Sequence, residues 1–401
     1  MLKLTGERFD SIDAFRGLTI LTMIFVNDLA SINNIPNWLK HYPAEADGMT
    51  FVDLVFPAFL FIVGMAIPLA IQNRIDKGES FLQIWKHILI RSAGLIVLGV
   101  LMVNISELNP IATGISESWW MLLLFVAAIL IWNRYPQKDG WKNILSTILR
   151  SFGFVILIVL AIIYRGGENE NLRWLQTSWW GILGLIGWVY LTCGAVYLIF
   201  NKNLAAMTGM LALFILLYIG DKTGRLNFLM PIKQYLWLGG HIGGHSAITI
   251  SGTITTLLLL TQATNDSMRK RISSVICFAA MLFLAGYLIR PLYGISKVYA
   301  TPTWCLYSSS ICCAIFLLLF WLVDIKKINK WTVFLKPAGS NPLLAYIMPD
   351  IAYALIGISG ITFLSDYFGA GILGIIRSFV FALLMFGLTA LATKFNIKLR
   401  L

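Results

Sequence analysis

The sequence predicts an all-α fold, a polytopic integral membrane helix bundle of about 12 transmembrane helices (roughly 10 to 12) with both termini in the cytoplasm. Three observations predict this class. Of the 401 residues, 58% are hydrophobic and only 12% are charged, whereas soluble domains carry about 25% charged residues. The apolar residues are concentrated in runs of about 20, the length that an α-helix needs to cross a bilayer. Basic residues are concentrated between alternate runs.

Twelve apolar runs follow one another along the chain. The fourth is short for a bilayer and the seventh is marginal, so ten or eleven spans remain alternatives. No linker or internal repeat divides the runs, and residues 1–401 are expected to form a single transmembrane domain. The predicted spans are 17–34, 50–72, 87–104, 118–132, 147–164, 178–199, 204–219, 245–262, 273–292, 304–323, 340–358 and 370–392.

The charges between the spans predict the orientation of the chain. With the N-terminus inside, the inner segments hold 22 of the 31 Lys and Arg residues, the outer segments hold 8, and Arg377 lies within a span. Cytoplasmic loops of membrane proteins are enriched in Lys and Arg. The same asymmetry accounts for the net charge of +12, so the expected partner is the lipid bilayer and no nucleic acid is expected.

Polar side chains interrupt the first two spans, although ionisable groups at membrane depth are costly and by default mark a functional site. These side chains are Asp13, Arg16 and Asn27 in or just before the first span, His41 in the connecting loop, and Asp53 in the second span. Arg16 and Asn27 are about three turns apart and share one helix face. The stretch 8–64 is therefore the predicted site region.

His41, Asn27 and Asp53 are the candidate catalytic residues. An imidazole can act as a general base toward an amine or hydroxyl, or as a nucleophile that carries an acyl group. A carboxylate such as Asp53 can fix the imidazole tautomer, and an amide such as Asn27 can donate to a developing oxyanion. The sequence does not choose between the role of His41 as a general base and its role as a nucleophile.

Pro57 predicts an irregular start to the second span. Its nitrogen has no proton to donate to the carbonyl of Asp53, so the helix is expected to open or kink there. Helical spacing places Asp53, Pro57, Phe61 and Gly64 on one face.

The remaining polar motifs each have two interpretations. The pair His241 and His245 has a spacing that can bind a metal on a helix. The glycines between them make a helix doubtful, so close backbone packing is favoured and no metal is expected. The aromatic loop 293–304 fits an interfacial belt or a sugar-stacking surface. Asp350 and Arg377 fit a structural ion pair or a coupling site for a transported ion.

The stretch PAGSNPLLAY predicts a helix start near the inner membrane face. Ser340 or Asn341 suits the N-cap and Pro342 suits the first helical position. The free N–H groups of such a helix start can bind a phosphate, and a cap without a ligand is an equal alternative.

The motifs SIDAFRG, FVN, LKH and GMTFVDLVFPAFLFIVG, in this order, resemble the opening of the heparan-α-glucosaminide N-acetyltransferase family. ISKVYATPTW (295–304) and PAGSNPLLAY (337–346) are similar to its later signatures, although Ala300 stands where the family usually has tryptophan. The resemblance implies transfer of an acetyl group from cytoplasmic acetyl-CoA to a glucosamine amine across the membrane. It also implies that His41 is the essential histidine and Asn27 its paired asparagine.

This resemblance and the site region together predict an acetyl-CoA-dependent N-acetyltransferase of the bacterial cytoplasmic membrane, with His41 on the outer, periplasmic side. Its partners are acetyl-CoA and an amino sugar or glycan, and a homodimer stays open. The expected donor-binding residues are Arg16, Ser340 and Asn341. The expected substrate-binding residues are Asp13, His245, Lys297 and Trp304. The alternative is an amino-sugar transporter with Asp53, Asp350 and Arg377 along its path and helices broken at Pro57, Pro68 and Pro349.

Overall fold

The protein is helical over most of its length. The first residue of the predicted site region, Arg8, lies outside the residues that the structure describes. β1 (Lys3–Leu4) and β2 (Thr261–Gln262) form a short antiparallel pair. Apart from this two-residue pair, the regular elements of the described residues are helical, so the all-α class is confirmed. The computed structural model describes residues 3–4, 9–135, 141–168, 171–262 and 267–400.

Sixteen α-helices lie within the described part of the chain, joined by short 3₁₀ and π-helical segments. The α-helices are α1 (Asp10–Leu29), α2 (Val55–Asp76), α3 (Phe81–Val103), α4 (Pro110–Thr113), α5 (Glu117–Trp132), α6 (Trp141–Ile163), α7 (Gly181–Phe200), α8 (Leu204–Lys222), α9 (Met230–Lys233), α10 (His245–Leu260), α11 (Met268–Tyr293), α12 (Pro302–Phe320), α13 (Lys336–Ser340), α14 (Pro342–Ser359), α15 (Phe363–Phe368) and α16 (Gly371–Lys394). The 3₁₀ segments are Asn37–Leu39, Phe51–Leu54, Ile105–Glu107, Asn227–Leu229 and Lys330–Phe334, and the π-helical segments are Leu238–Gly244 and Trp321–Ile325.

Every predicted span coincides with a helix, but not every such helix is suited to cross a bilayer. Within the described residues, 10 helices are long and apolar enough to do so, among them the marginal seventh span, Leu204–Lys222. The predicted fourth span, α5, is too short, with 16 residues. The first, α1, is not among the ten because Asp13, Arg16 and Asp28 fall within its length. The chain is an integral membrane protein, and its described residues include ten candidate spans.

The chain folds into two compact units, each assembled from three separate stretches. Unit 1 consists of Met1–Thr19, Pro36–Ala93 and Leu185–Val333, and unit 2 of Ile20–Ile35, Gly94–Gly184 and Phe334–Leu401. The expectation of a single domain over 1–401 stays a prediction.

In unit 1, α2 and α10 approach each other until their backbones touch. A Cβ atom added to Gly64 would lie 1.7 Å from the carbonyl oxygen of Thr249, and one added to Gly252 would lie 2.0 Å from that of Phe61. The Thr253 hydroxyl donates to the Gly64 carbonyl at 2.9 Å. Glycines that admit a second helix, and hydroxyls that bond across the contact, are typical of helix packing in membranes. This contact fixes α2, which carries Asp53 at its start.

In unit 2, a buried carboxylate joins α1, α14 and α16. Asp28 accepts hydrogen bonds from Tyr353 at 2.6 Å, Ser378 at 2.6 Å and Arg377 at 3.1 Å. The predicted ion pair of Arg377 with Asp350 is therefore wrong, since Arg377 pairs with Asp28. Asp28 was not among the predicted site residues, although Asp28 directly follows Asn27 in the sequence. A buried carboxylate with several donors is stabilised where an isolated one is not.

Candidate active site

His41 and Asp53 form the centre of the candidate active site in unit 1. The Nδ1 atom of His41 lies 2.7 Å from Oδ1 of Asp53. The carboxylate is almost fully buried, at 1% exposed, whereas 50% of the imidazole side chain is accessible. The site thus has a fixed, buried acceptor on one side of the ring and an open face on the other. The predicted pairing of these two residues is confirmed.

The start of the second span holds the Asp53 carboxylate in place. Oδ2 of Asp53 accepts the backbone N–H of Thr50 at 3.0 Å and that of Tyr42 at 3.1 Å. Thr50 precedes the 3₁₀ turn Phe51–Leu54, and α2 follows from Val55. Asp53 therefore serves as the acidic residue of a capping box, a helix-start motif in which a side chain bonds back to the N-cap backbone.

The predicted irregularity at Asp53 is confirmed in the form of this 3₁₀ turn. Pro57 lies in the first turn of α2, where its missing N–H leaves the preceding carbonyls without the regular α-helical bond. Asp53, Pro57, Phe61 and Gly64 are all buried, as their common face predicts.

Lys297 reaches the same imidazole from the loop before α12. Its Nζ atom lies 3.2 Å from Nδ1 and 3.3 Å from Nε2 of His41. When Nδ1 donates to Asp53, the ammonium can donate only to Nε2. Burial lowers the pKa of Lys297 from its ordinary value, and the negative charge of Asp53 partly opposes this shift. Lys297, predicted to bind substrate, is thus a neighbour of the catalytic candidate.

Two loops hold each other in this arrangement. Asp47 accepts the backbone N–H of Ile295 at 2.8 Å and the Nε–H of Arg290 at 3.0 Å. The Ser296 hydroxyl donates to the carbonyl of Ala44 at 2.9 Å. Asp47 was not among the predicted site residues, because no spacing rule connects it with Ile295 and Arg290, almost 250 positions away. Its only signal was an acid placed between His41 and Asp53.

His245 and Trp304 lie together beside α2 in unit 1. Their ring centroids are 6.3 Å apart, and the His245 ring is 5.2 Å from that of Phe56. The His241 ring stacks on that of His245 at 6.0 Å. Both histidines and Trp304 are buried. The doubt about a helix here is corrected, since Leu238–Gly244 is π-helical and continues into α10.

A metal is not supported by the neighbours of these histidines. Among the residues described, no three His, Cys, Asp or Glu side chains are grouped so that they hold a metal ion. The histidine pair is instead enclosed by aromatic rings, Trp237 next to His241 and Trp304 next to His245.

The other predicted site residues on α1 do not meet His41 in any contact described here. Arg16 and Asp13 form an ion pair with each other at 3.1 Å, one helical turn apart. Asn27 is exposed and belongs to unit 2. Its pairing with His41 therefore stays a prediction.

Asn341 has a structural role that the sequence did not indicate. Its amide nitrogen donates to the Thr393 hydroxyl at 3.0 Å and to the Ile397 carbonyl at 2.8 Å, while its oxygen accepts the N–H of Leu399. Asn341 is the N-cap residue of α14 as predicted, but its side chain makes no capping bond there and both of its amide protons are used. The phosphate site at the backbone N–H groups of this helix start stays a prediction. Pro342 is at the first turn of α14 as predicted, and Ser340 bonds to the Pro337 carbonyl.

Comparison with known proteins places the chain in a family. The model of the family described as "Domain of unknown function (DUF5009)" matches residues 8–238, more than half of the sequence. The chain belongs to the DUF5009 family. The matched range of this DUF5009 protein contains His41 and Asp53 and ends before Lys297.

Two curated relatives of the DUF5009 protein carry the name heparan-alpha-glucosaminide N-acetyltransferase. The mouse protein is 38% identical over 101 residues, which is 25% of this chain and 14% of the relative. The human protein is 38% identical over 98 residues, which is 24% of this chain and 14% of the relative. The chain thus spans about one seventh of the length of these relatives. The predicted resemblance is confirmed at the level of family similarity over a quarter of the DUF5009 protein.

Proposed function

We propose that this DUF5009 protein is a transmembrane acetyltransferase. It moves an acetyl group from cytoplasmic acetyl-CoA to the amine of an amino sugar or glycan on the outer side of the membrane. The observation that carries the proposal is the contact of His41 with the buried Asp53 at the start of a candidate span. The similarity to two N-acetyltransferases supports the reaction class.

The contact with Asp53 assigns the proton of the neutral imidazole. With Nδ1–H donating to Oδ1 of Asp53, the lone pair of His41 lies on Nε2. A buried carboxylate in this position holds the ring in one tautomer and stabilises the imidazolium that forms during catalysis. Nε2 is therefore the reactive nitrogen.

Two reaction routes use this lone pair. In direct transfer, Nε2 takes a proton from the acceptor amine while the amine nitrogen attacks the thioester carbonyl. In the two-step route, Nε2 attacks the carbonyl itself, the thiolate of CoA leaves, and the amine then takes the acetyl group from the ring. The net change is the same in both routes: the S–C bond breaks, an N–C bond to the acceptor forms, and the amine proton ends on the thiolate. The two-step route also forms and then breaks an N–C bond between the acetyl carbon and Nε2.

Lys297 marks the place of the acceptor amine in this scheme. Its nitrogen lies 3.3 Å from Nε2, where the amine of a sugar must be to react. The exposed face of His41 is open to an acceptor from outside, and Arg16 on the inner side is suited to the phosphates of the donor.

The test is acetyl transfer by the purified full-length protein in detergent, with radiolabelled acetyl-CoA and glucosamine. We expect labelled N-acetylglucosamine from the wild type, and a loss of kcat of about 10²–10⁴-fold in His41→Ala and in Asp53→Asn. His87→Ala is the matched control, because His87 lies on α3 outside the site and its loss leaves transfer unchanged.

Two results contradict the proposed function. Equal transfer by wild type and His41→Ala removes the proposed role of the imidazole. Uptake of labelled glucosamine into proteoliposomes without acetylation, unaffected by His41→Ala, indicates a transporter instead.

A further inference from the structure

Four rings of unit 1, three of them buried and Phe56 half-buried, form a cluster next to the candidate active site, and we call it the ring cluster: Phe56, His241, His245 and Trp304. His245 is at its centre, with edge-to-face contacts to Phe56 and Trp304 and a stacked contact to His241. Trp304 is 0% exposed and His245 is 4% exposed. No step of the proposed reaction has used these side chains so far.

Polar atoms of the ring cluster lack hydrogen-bond partners in the described part of the chain. These atoms are Nε1 of Trp304, Nδ1 of His245 and Nδ1 of His241. The hydroxyls of Thr303 and Ser246, the sequence neighbours of two of these rings, are unpartnered in the same way. A buried donor without a partner costs about 1–3 kcal/mol, and native proteins satisfy the large majority of such groups. Several of them in one place indicate that the site is completed by a ligand.

The ring cluster is continuous with the catalytic candidate. Phe56 follows Asp53 by three residues, so it lies one turn further along the second span. Thr301 caps α12 one turn before Trp304, and it also accepts the N–H of Ser296, the neighbour of Lys297. The same two elements therefore position both the His41 site and the ring cluster.

The predicted orientation of the chain places the ring cluster on the inner side of His41. The second span enters the membrane from the outside, so residues after Asp53 lie progressively deeper. Phe56 and its neighbour His245 are thus on the side from which a cytoplasmic donor arrives. An acceptor that enters from outside meets His41 first.

We propose that the ring cluster binds the acyl end of a thioester donor, and that the indole N–H of Trp304 donates a hydrogen bond to the acyl carbonyl oxygen. This inference rests on the proposed function. An indole N–H is only a donor and requires an acceptor such as a carbonyl oxygen. The unpartnered imidazoles and hydroxyls suit the uncharged amides and carbonyls of a pantetheine arm, since each can donate or accept.

The hydrogen bond from Trp304 acts at the moment of transfer. As nitrogen bonds to the carbonyl carbon, negative charge develops on the carbonyl oxygen, and it disappears when the S–C bond breaks and the thiolate leaves. A donor fixed in a water-poor site stabilises that charge without rearrangement. Trp304 is therefore assigned as a catalytic residue, while His245 holds the indole in place.

Trp304→Phe is the sharp variant, because it keeps an aromatic ring and removes the unpartnered N–H together with part of the indole bicycle. Trp120→Phe is the matched control: Trp120 on α5 is also fully buried, and its Nε1 likewise has no partner among the described residues. We expect Trp304→Phe to lower kcat for acetyl transfer by about 10²–10³-fold with an unchanged KM for glucosamine. Trp120→Phe keeps wild-type values.

A binding measurement separates this inference from the proposed function. Both substitutions are placed in the His41→Ala background, and the affinities for acetyl-CoA and for free CoA are measured by calorimetry. We expect acetyl-CoA to bind more tightly than CoA, Trp304→Phe to abolish this difference, and Trp120→Phe to preserve it. The thermal midpoints of unliganded Trp304→Phe and Trp120→Phe fall by similar amounts, because both lose the same ring atoms from fully buried positions and neither loses a protein hydrogen bond.

The outcomes against the inference are distinct. If Trp304→Phe retains the preference for acetyl-CoA, the indole does not contact the acyl group, whether or not the wild type acetylates glucosamine. If it raises the KM for glucosamine and leaves donor binding intact, the ring cluster binds the acceptor. If the wild type does not transfer acetyl, the proposed function fails, and the binding comparison still decides what the cluster holds.

Discussion

Lys297 contacts His41, and the pKa of its own amine is lowered from the ordinary value. Burial lowers the pKa of its amine, because a charge removed from water is penalised, and the Asp53 carboxylate compensates only in part. The folded protein therefore holds this proton less tightly than the unfolded chain does. At residue scale, the consequence is a dependence of stability on pH.

The sign of that dependence follows from proton linkage. Between the lowered pKa and the ordinary lysine value of about 10.4, the unfolded chain binds the proton and the folded protein does not, so the free energy of unfolding rises with pH. Below this window the full penalty of the buried charge is present. Replacing Lys297 by an uncharged side chain of similar length removes both the penalty of the buried charge and the dependence of stability on pH.

We therefore expect Lys297→Met to raise the thermal midpoint at neutral pH and to flatten its rise toward alkaline pH. The measurement is thermal unfolding in detergent across pH 6–10, a range that extends toward the ordinary pKa. Lys40→Met is the matched control, because Lys40 is exposed on the same loop as His41. If the thermal midpoint of Lys297→Met still rises with pH as steeply as that of the wild type, the titration does not belong to this amine.

The sequence revealed some of the site residues and not others, for a physical reason. His41 and Asp53 were identified because polar groups in apolar runs stand out, and Lys297 because it lies in a recognisable motif. Asp47 was not identified, because its bonds to Ile295 and Arg290 exist only after distant loops meet. Asn341 was misassigned because its position fits a cap, while its side chain bonds to the C-terminal segment.

At the scale of elements, the contact between α2 and α10 has the tightest geometry among the described helices that position the site. The space at Gly64 is already filled by the backbone of Thr249. An added methyl group must push the two helices apart, and such overpacking costs about 1–3 kcal/mol. Separation of α2 from α10 also moves Asp53 and Phe56, which lie at the start of α2.

We expect Gly64→Ala to lower the free energy of unfolding by about 1–3 kcal/mol and to reduce acetyl transfer. Gly209→Ala is the matched control on another candidate span, because a Cβ atom there meets nothing within 4 Å. It is neutral or stabilising by up to about 1 kcal/mol, since alanine is the better helix former. Unfolding in detergent with increasing denaturant provides the comparison, and equal stability of the two variants contradicts the contact.

Hydropathy located the helices, and local rules failed where packing decides. The glycines between His241 and His245 were expected to disfavour a helix. Here Gly243 and Gly244 instead allow the backbones of Phe214 and Ala300 to come within 2.8 Å and 2.7 Å of where a Cβ would lie. Close packing thus outweighs the low helix propensity of glycine, and the segment is π-helical.

At the scale of the whole molecule, the orientation of the chain decides whether the proposed reaction crosses the membrane. The count of spans does not settle the orientation, because α1 carries four charged residues and α5 is short. The distribution of Lys and Arg still predicts His41 outside and the loop after α2 inside. With 22 residues, α2 is about 33 Å long, enough to cross the hydrocarbon core.

Site-specific cysteine labelling tests this orientation. Cys277 is the exposed native cysteine and the other four are buried, so Cys277→Ser provides a background of low reactivity. Lys40→Cys and Lys77→Cys then report the two ends of the second span, since both positions are exposed. We expect a membrane-impermeant maleimide to label Lys40→Cys in intact cells and Lys77→Cys only after permeabilisation.

The reverse pattern carries a definite consequence for the chemistry. With His41 on the cytoplasmic side, donor and acceptor reach the imidazole from the same compartment, and the ring cluster is then on the far side of His41 from the donor. Transfer to glucosamine in detergent is compatible with either orientation, because detergent removes the barrier. Labelling in intact cells is therefore the measurement that separates transmembrane transfer from ordinary acetylation at a membrane surface.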